Sequence, residues 1–132
     1  MVTRVLVPVD STTAAVLAYK EVRAALRDDP YVVFLRVLTP GEESLKARAR
    51  ASLVKCLMVY RTRGVDSEMQ LIEAETVAKG IADATTRFEI DEIMCIQGHG
   101  ADDPSGVVAD LGSLTGVPVR VMVGERETAT AG

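Results

Sequence analysis

Two short runs constrain this chain more than any other feature. Residues 4–10 (RVLVPVD) and 31–38 (YVVFLRVL) are apolar at nearly every position. A strand with one wet face alternates apolar and polar residues, whereas a strand covered on both faces has no reason to. These runs therefore predict central strands of a parallel sheet with helices above and below. Pro8 has no N–H for a ladder, which places the end of the first strand near Val7 or Val9.

Between and after these runs the apolar period changes. Ser11, Thr12 and Thr13 offer N-caps, and Ala14, Ala18, Val22, Ala25 and Leu26 then recur at helical spacing. TPGEE (residues 39–43) breaks the second strand and opens a long helix. Its apolar stripe is Leu45, Ala49, Leu53, Cys56, Leu57 and Tyr60. Lys46, Arg48, Arg50 and Lys55 fill much of the remaining circumference, the pattern of a solvated face, with a bound anion as the alternative. Residues 67–74 alternate Met69 and Leu71 with Glu68 and Gln70, predicting a half-covered edge strand. Val77, Ile81, Ala84, Thr85 and Phe88 predict a third helix capped by Thr76. Residues 91–98 (DEIMCIQG) read as a fourth strand. A fourth helix is expected over 104–115, opened by Asp103-Pro104 and carrying Val107, Val108, Leu111 and Leu114. Residues 117–123 (VPVRVMV) are the fifth strand, and 125–132 a polar tail beyond one domain spanning 1–124. Strands alternating with helices in this way predict a doubly wound parallel sheet.

Composition excludes several classes of function. A net charge of −4 gives no bulk attraction to nucleic acid or to an anionic membrane. Aromatic content of 4% with no Trp leaves no base-stacking platform. No apolar run spans a bilayer, and residues 1–10 hold no segment of signal-peptide length, so a cytoplasmic location is expected. Cys56 and Cys95 match no zinc or redox spacing and are expected as reduced core residues. There is no G-x-S-x-G elbow, no Walker A loop, and no His–acid pair spaced to activate a nucleophile. His99, Asp102 and Asp103 form no specific metal motif. Catalysis is not expected, beyond slow ATP hydrolysis at most.

The order and spacing of four segments resemble the universal stress protein family. RVLVPVDST (residues 4–12) resembles its first strand and turn, and GVDSEMQLIEAE (64–75) its third strand. DEIMCIQGHG (91–100) resembles its fourth strand and glycine turn, and TGVPVRVMV (115–123) its last strand. The resemblance covers nearly the whole chain. It implies a flavodoxin-like, adenine nucleotide alpha hydrolase-like three-layer sandwich, with five parallel strands in the order 3-2-1-4-5. It also implies ATP or AMP as the candidate ligand. Asp10, beside Pro8 and Val9, stands where the family's nucleotide binders hold adenine and ribose, as does Val37 or Leu38. Receiver domains share an acid at the position of Asp10, but they need a Lys after the fifth strand, where this chain has VGER.

In those binders the phosphates rest on a loop of Gly, two residues, Gly, about nine residues, then Gly-Ser or Gly-Thr. One alignment uses Gly112-Ser113 and puts His99 and Asp102 where glycines belong. A second counts back from VPV and keeps a full crossover helix, which a parallel strand requires. It leaves Gly98, His99, Gly100, Ser105 and Gly106 as the loop, shortened and with Ser-Gly in reversed order. Asp102 and Asp103 then stand beside the phosphate position. At ~4 Å and an effective dielectric of ~20, two unit charges interact by ~4 kcal/mol, more than the ~1 kcal/mol a helix terminus supplies. The expected function is a universal-stress-protein-like regulatory protein with weak or no conventional ATP binding. A true ATP- or AMP-binding module and a purely structural dimer acting through protein partners are the alternatives. An apolar last strand at a sheet edge needs cover, and in the family that strand pairs across a dimer axis. A homodimer through Val117, Val119, Val121 and Val123 is expected.

Overall fold

The runs that are apolar on both faces take the middle of the sheet. In a computed structural model, which describes residues 2–9, 23–24, 29–97 and 112–123, five strands form one sheet. They are β1 Val2–Pro8, β2 Asp29–Leu38, β3 Asp66–Glu73, β4 Glu92–Gln97 and β5 Val119–Val123, in the order β3-β2-β1-β4-β5. Every pairing is parallel. The architecture is the expected flavodoxin-like α/β fold with strand order 3-2-1-4-5, and β3, the alternating segment, lies at an edge.

Alternate residues of each central strand feed opposite cores. Val5 and Val7 of β1 and Val32 and Phe34 of β2 join Leu53, Cys56 and Tyr60 from helix α1 (Lys46–Thr62). Leu6, Val33, Leu35 and Val37 point the other way and join Ile81 and Ala84 from helix α2 (Val77–Arg87). Full burial of such a side chain contributes about 1.5–3 kcal/mol. On the α1 side the rings of Phe34 and Tyr60 meet edge to face, with centroids 4.7 Å apart. On the α2 side the helix approaches the sheet so closely that a Cβ on Gly80 would lie 2.6 Å from Val37 Cγ1. Thr76 caps α2 as expected, its hydroxyl accepting from Lys79 N at 3.1 Å.

Two prolines lie within strands, and the direction of their missing donors explains why they are tolerated. Val9 N donates to Leu35 O and Asp91 N donates to Arg4 O, so even-numbered residues of β1 face β4. Ala74 N donates to Leu38 O, so even-numbered residues of β2 face β3. The absent N–H of Pro30 thus points toward β3, whose pairing begins one residue later, at Tyr31 with Asp66. This is why β2 starts at Asp29, earlier than its apolar run suggests. The absent N–H of Pro8 points toward β4. At the other boundary, Pro118 cannot donate but its carbonyl accepts from Ile93 N at 2.9 Å, and β5 begins just after it.

Of the expected first helix, residues 23–24 are described and are helical; the glycine turn after β4 and the tail lie outside the described residues. Of the last expected helix, residues 112–115 are described and are helical.

Candidate functional site

In an open α/β sheet, ligands collect outside the carboxyl ends of the strands where the strand order reverses. Here the chain winds from β1 through β2 to β3 in one direction, then returns to β4 and β5 on the other side of β1. The reversal lies between β1 and β4. Their ladder pairs Val5 with Glu92 and Leu6 with Ile93. The next β1 residue facing β4 is Pro8, which has no proton to give. Proline therefore keeps the carboxyl ends of β1 and β4 from being zipped by a further donor on this side.

Two strands over, the carboxyl ends of β2 and β3 border a cleft of about 420 Å³. Leu38, Pro40 and Ala74 give it apolar walls, and Thr39, Glu43, Lys46 and Glu73 supply its polar groups. A turn shapes one side. Glu42 N donates to Thr39 O at 3.0 Å, and Gly41 between them has φ 95°. Proline followed by glycine at positive φ is the chemistry of a type II turn. Glu42 Oε1 then accepts from Thr39 N at 2.8 Å and from Thr39 Oγ1 at 2.9 Å. The backbone bond first, and the hydroxyl second, hold the Glu42 carboxyl below its ordinary range. It is ionised at neutral pH. Gly41 N donates to Glu43 Oε2 at 3.4 Å.

The cleft thus offers carboxylate acceptors at Glu43 and Glu73, with Lys46 as its cationic lining residue. Apolar walls with acceptors at the rim suit a flat group that donates hydrogen bonds. Carboxylates beside a polyphosphate would repel it.

The expected site residues divide in two. Pro8, Val9, Val37 and Leu38 come together at the carboxyl end of adjacent strands. Leu38 is 3% exposed and lines the cleft. Val37 is also buried, but its side chain packs beneath Gly80 in the α2-side core. Val9 is buried in the α1-side core and bonded through its N–H to β2. Asp10, Gly98, His99, Gly100, Ser105 and Gly106 lie outside the described residues. Thr39, Glu43, Lys46 and Glu73 are additions made by the structure. The TPG turn after a buried strand was the available signal for the first of them. Glu73 carried none, because only strand pairing brings it beside Leu38.

β5 is an edge strand, as expected. Val117 and Val119 are half-buried against the α2-side core. Arg120 Nε lies 2.8 Å from Glu92 Oε2 on the neighbouring strand. Of Val121 and Val123 the strand backbone is described.

The opposite, amino end of the sheet is tied down by its own polar groups. Arg4 N donates to Asp91 Oδ2 at 2.9 Å and Arg4 Nε to Phe88 O at 2.7 Å. The Arg4 guanidinium lies 4.9 Å from the centroid of the Tyr31 ring. Tyr31 Oη donates to Glu68 Oε1 at 2.8 Å, and Gln70 Nε2 donates to Glu68 Oε2 at 2.6 Å. The bond to Glu68, then burial, raises the Tyr31 hydroxyl above its usual pKa.

Both cysteines are free thiols. Burial pushes each up to about 11, so neither is a nucleophile at neutral pH. Among the described residues no three His, Cys, Asp or Glu side chains are grouped to hold a metal. No described helix is long and apolar enough to cross a membrane.

No protein-family model matches the sequence, and no curated protein matches it. Solved structures do. A universal stress protein from Archaeoglobus fulgidus in complex with dAMP superimposes with a TM-score of 0.68 at 20% identity, covering 91% of this chain and 97% of the other. A universal stress protein family protein from Arabidopsis thaliana with AMP bound gives 0.68 at 15% identity, covering 95% and 94%. A member of that family from Burkholderia pseudomallei gives 0.65 at 22% identity, covering 91% and 95%. The chain has the fold of the universal stress protein structures.

Proposed function

We propose that this chain is a universal-stress-protein-like regulatory protein of the cytoplasm, a weak and altered binder of adenine nucleotides and not an enzyme. Its carboxyl-end cleft accepts the adenosine part, and phosphates add little. The observation that carries this reading is the fold itself, shared over more than nine-tenths of the chain with structures that hold AMP or dAMP. The weakness follows from charge. Glu43 and Glu73 border the cleft, and the sequence adds Asp102 and Asp103 where a phosphate loop belongs. Asp10, with Val37 or Leu38, stands where the family's binders hold adenine and ribose.

Titration calorimetry of adenosine, AMP and ATP, with and without magnesium, tests it. The expected result is weak binding that does not strengthen from adenosine to ATP and that is lost in Asp10→Ala. ATP binding at low micromolar concentration, tighter than AMP, would mean a conventional ATP module. Absence of binding by all three would favour a structural module acting through protein partners.

A second reading concerns assembly. Among the described residues β5 pairs with β4 alone, and it reads VRVMV, an apolar edge of the kind proteins cover. A homodimer through Val117, Val119, Val121 and Val123 covers it. Light scattering at micromolar protein is expected to give twice the chain mass, falling to one in Val121→Lys. A monomeric parent chain overturns this reading.

A further inference from the structure

Helix α1 carries an apolar stripe that the protein's own core does not use. At ~100° per residue, Ala47, Ala51, Val54 and Met58 fall within an arc of about 60°. That arc lies opposite the buried Ala49, Leu53, Cys56 and Tyr60. Ala47 and Ala51 are exposed, Val54 is half-buried, and Met58 is 61% exposed. The spacings along the stripe are four, three and four residues, the d-a-d-a seam of a heptad repeat. The flanking e and g positions are Arg48, Arg50, Lys55 and Leu57.

The charge of this helix is one-sided. Residues 46–63 hold six of the chain's 15 Lys and Arg and none of its 19 Asp and Glu, leaving nine basic against 19 acidic residues elsewhere. None of the ion pairs among the described residues involves Arg48, Arg50 or Lys55. The placement works against the helix locally. Lys46, Arg48 and Arg50 stand at the N-terminal end, where the dipole favours anions. Lys46 and Arg50 are like charges four apart, a destabilising spacing. No side chain caps the N-terminus at Leu45.

We propose that the outer face of α1 docks an acidic amphipathic helix of a partner protein. Apolar residues of the partner fill the seam, and its flanking carboxylates meet Arg48, Arg50 and Lys55. Charge complementarity selects this occupant. A second copy of α1 would set basic flanks against basic flanks in either orientation. Membrane-surface helices draw on Trp, Phe and Leu, whereas this stripe has two alanines, a valine and one methionine. Small residues instead allow a second helix to approach within the 8–10 Å typical of packed helices. A net charge of −4 opposes nucleic acid.

The test uses the full chain and a synthetic three-heptad peptide with Leu at a and d and Glu at e and g. A control peptide carries Lys at e and g. The Glu peptide is expected to bind in a salt-sensitive manner, with NMR shifts confined to the outer face of α1, and the Lys peptide not to bind. Arg48→Glu/Arg50→Glu is expected to weaken the Glu peptide at least tenfold, and Ala51→Glu to do so independently. Lys46 is left intact because it lines the cleft. All substituted positions are exposed, and circular dichroism melts check that each variant folds. Equal binding of both peptides, binding of neither, or unchanged affinity in both variants overturns the proposal. So does co-sedimentation with phosphatidylserine vesicles that the same variants abolish, which would assign the face to lipid. Adenosine titrations of the same variants are expected to match the parent, separating this face from the cleft.

Discussion

α2 pairs its charges with one another and with the turn that opens it, and α1 does not. On α2, Lys79 Nζ lies 3.2 Å from Glu75 Oε1 and Arg87 Nη2 lies 2.7 Å from Asp83 Oδ2, both at i,i+4 spacing. Thr76 caps its start. α1 begins without a side-chain cap and carries five basic residues and no acid over Lys46–Thr62. Their far ends differ in the other sense. α1 ends through Gly64 at φ 84°, with Val65 N donating to Tyr60 O at 3.0 Å, a glycine stop without side-chain strain. α2 ends through Glu89 at φ 53°, with Ile90 N donating to Thr85 O at 2.9 Å. That is the same turn made by a residue that resists it. The contrast shows that α1 starts without the local support that α2 has at its own start, and that its buried stripe anchors it.

The largest way to break this comparison is to remove the anchor of α1. Tyr60→Ala is expected to cost about 3–5 kcal/mol in urea unfolding, because a fully buried ring in contact with Phe34 is lost. Gly80→Ala tests the close approach of α2. Alanine ordinarily favours a helix by about 1 kcal/mol over glycine, yet here the new methyl meets stiff Val37, and a net loss of about 1–3 kcal/mol is expected. Combining it with Val37→Ala should cost less than the two losses added together.

Alkaline pH should loosen the α1 side as well. The folded pKa of Cys56 is about 11, above its ordinary value of 9.0. Its contribution is therefore fully present below pH 9 and is lost as pH rises toward 11. Urea midpoints at pH 8 and pH 10.5 are expected to lie closer together in Cys56→Ala than in the parent. The last two tests concern the ends of α2. Thr76→Ala should cost about 1 kcal/mol through loss of the cap. Glu89→Gly should gain up to about 1 kcal/mol by relieving the positive φ, and thermal melts give its sign.

The fold is largely legible in the sequence. Continuous runs at Val5–Val7 and Val32–Leu35 and the alternation at Met69 and Leu71 separated central strands from an edge, because burial on two faces and on one leave different periods. The stripe of α1 and the cap at Thr76 were readable for the same kind of reason, since helical spacing and capping are local. The site was readable only in part. Leu38 could be nominated from its place at the end of a strand. Nothing in the order of residues joined it to Glu43, Lys46 and Glu73, which belong to a later turn, a helix and another strand. Nor could the sequence distinguish Val37, buried under Gly80, from Leu38, which lines the cleft.

By itself, the sequence determined the number of strands, their parallel class, the edge character of β3 and the acidic make-up of the segment after β4. Each of these follows from the identity and spacing of neighbouring residues, which set local propensity and burial period. Tertiary structure decided the rest. It showed which proline points its missing donor at which strand, that Gly80 is a contact and not a flexible joint, and that α1 has two apolar stripes with one of them left outside. Those properties depend on which surface of an element meets another, and only the packed sheet and helices settle that.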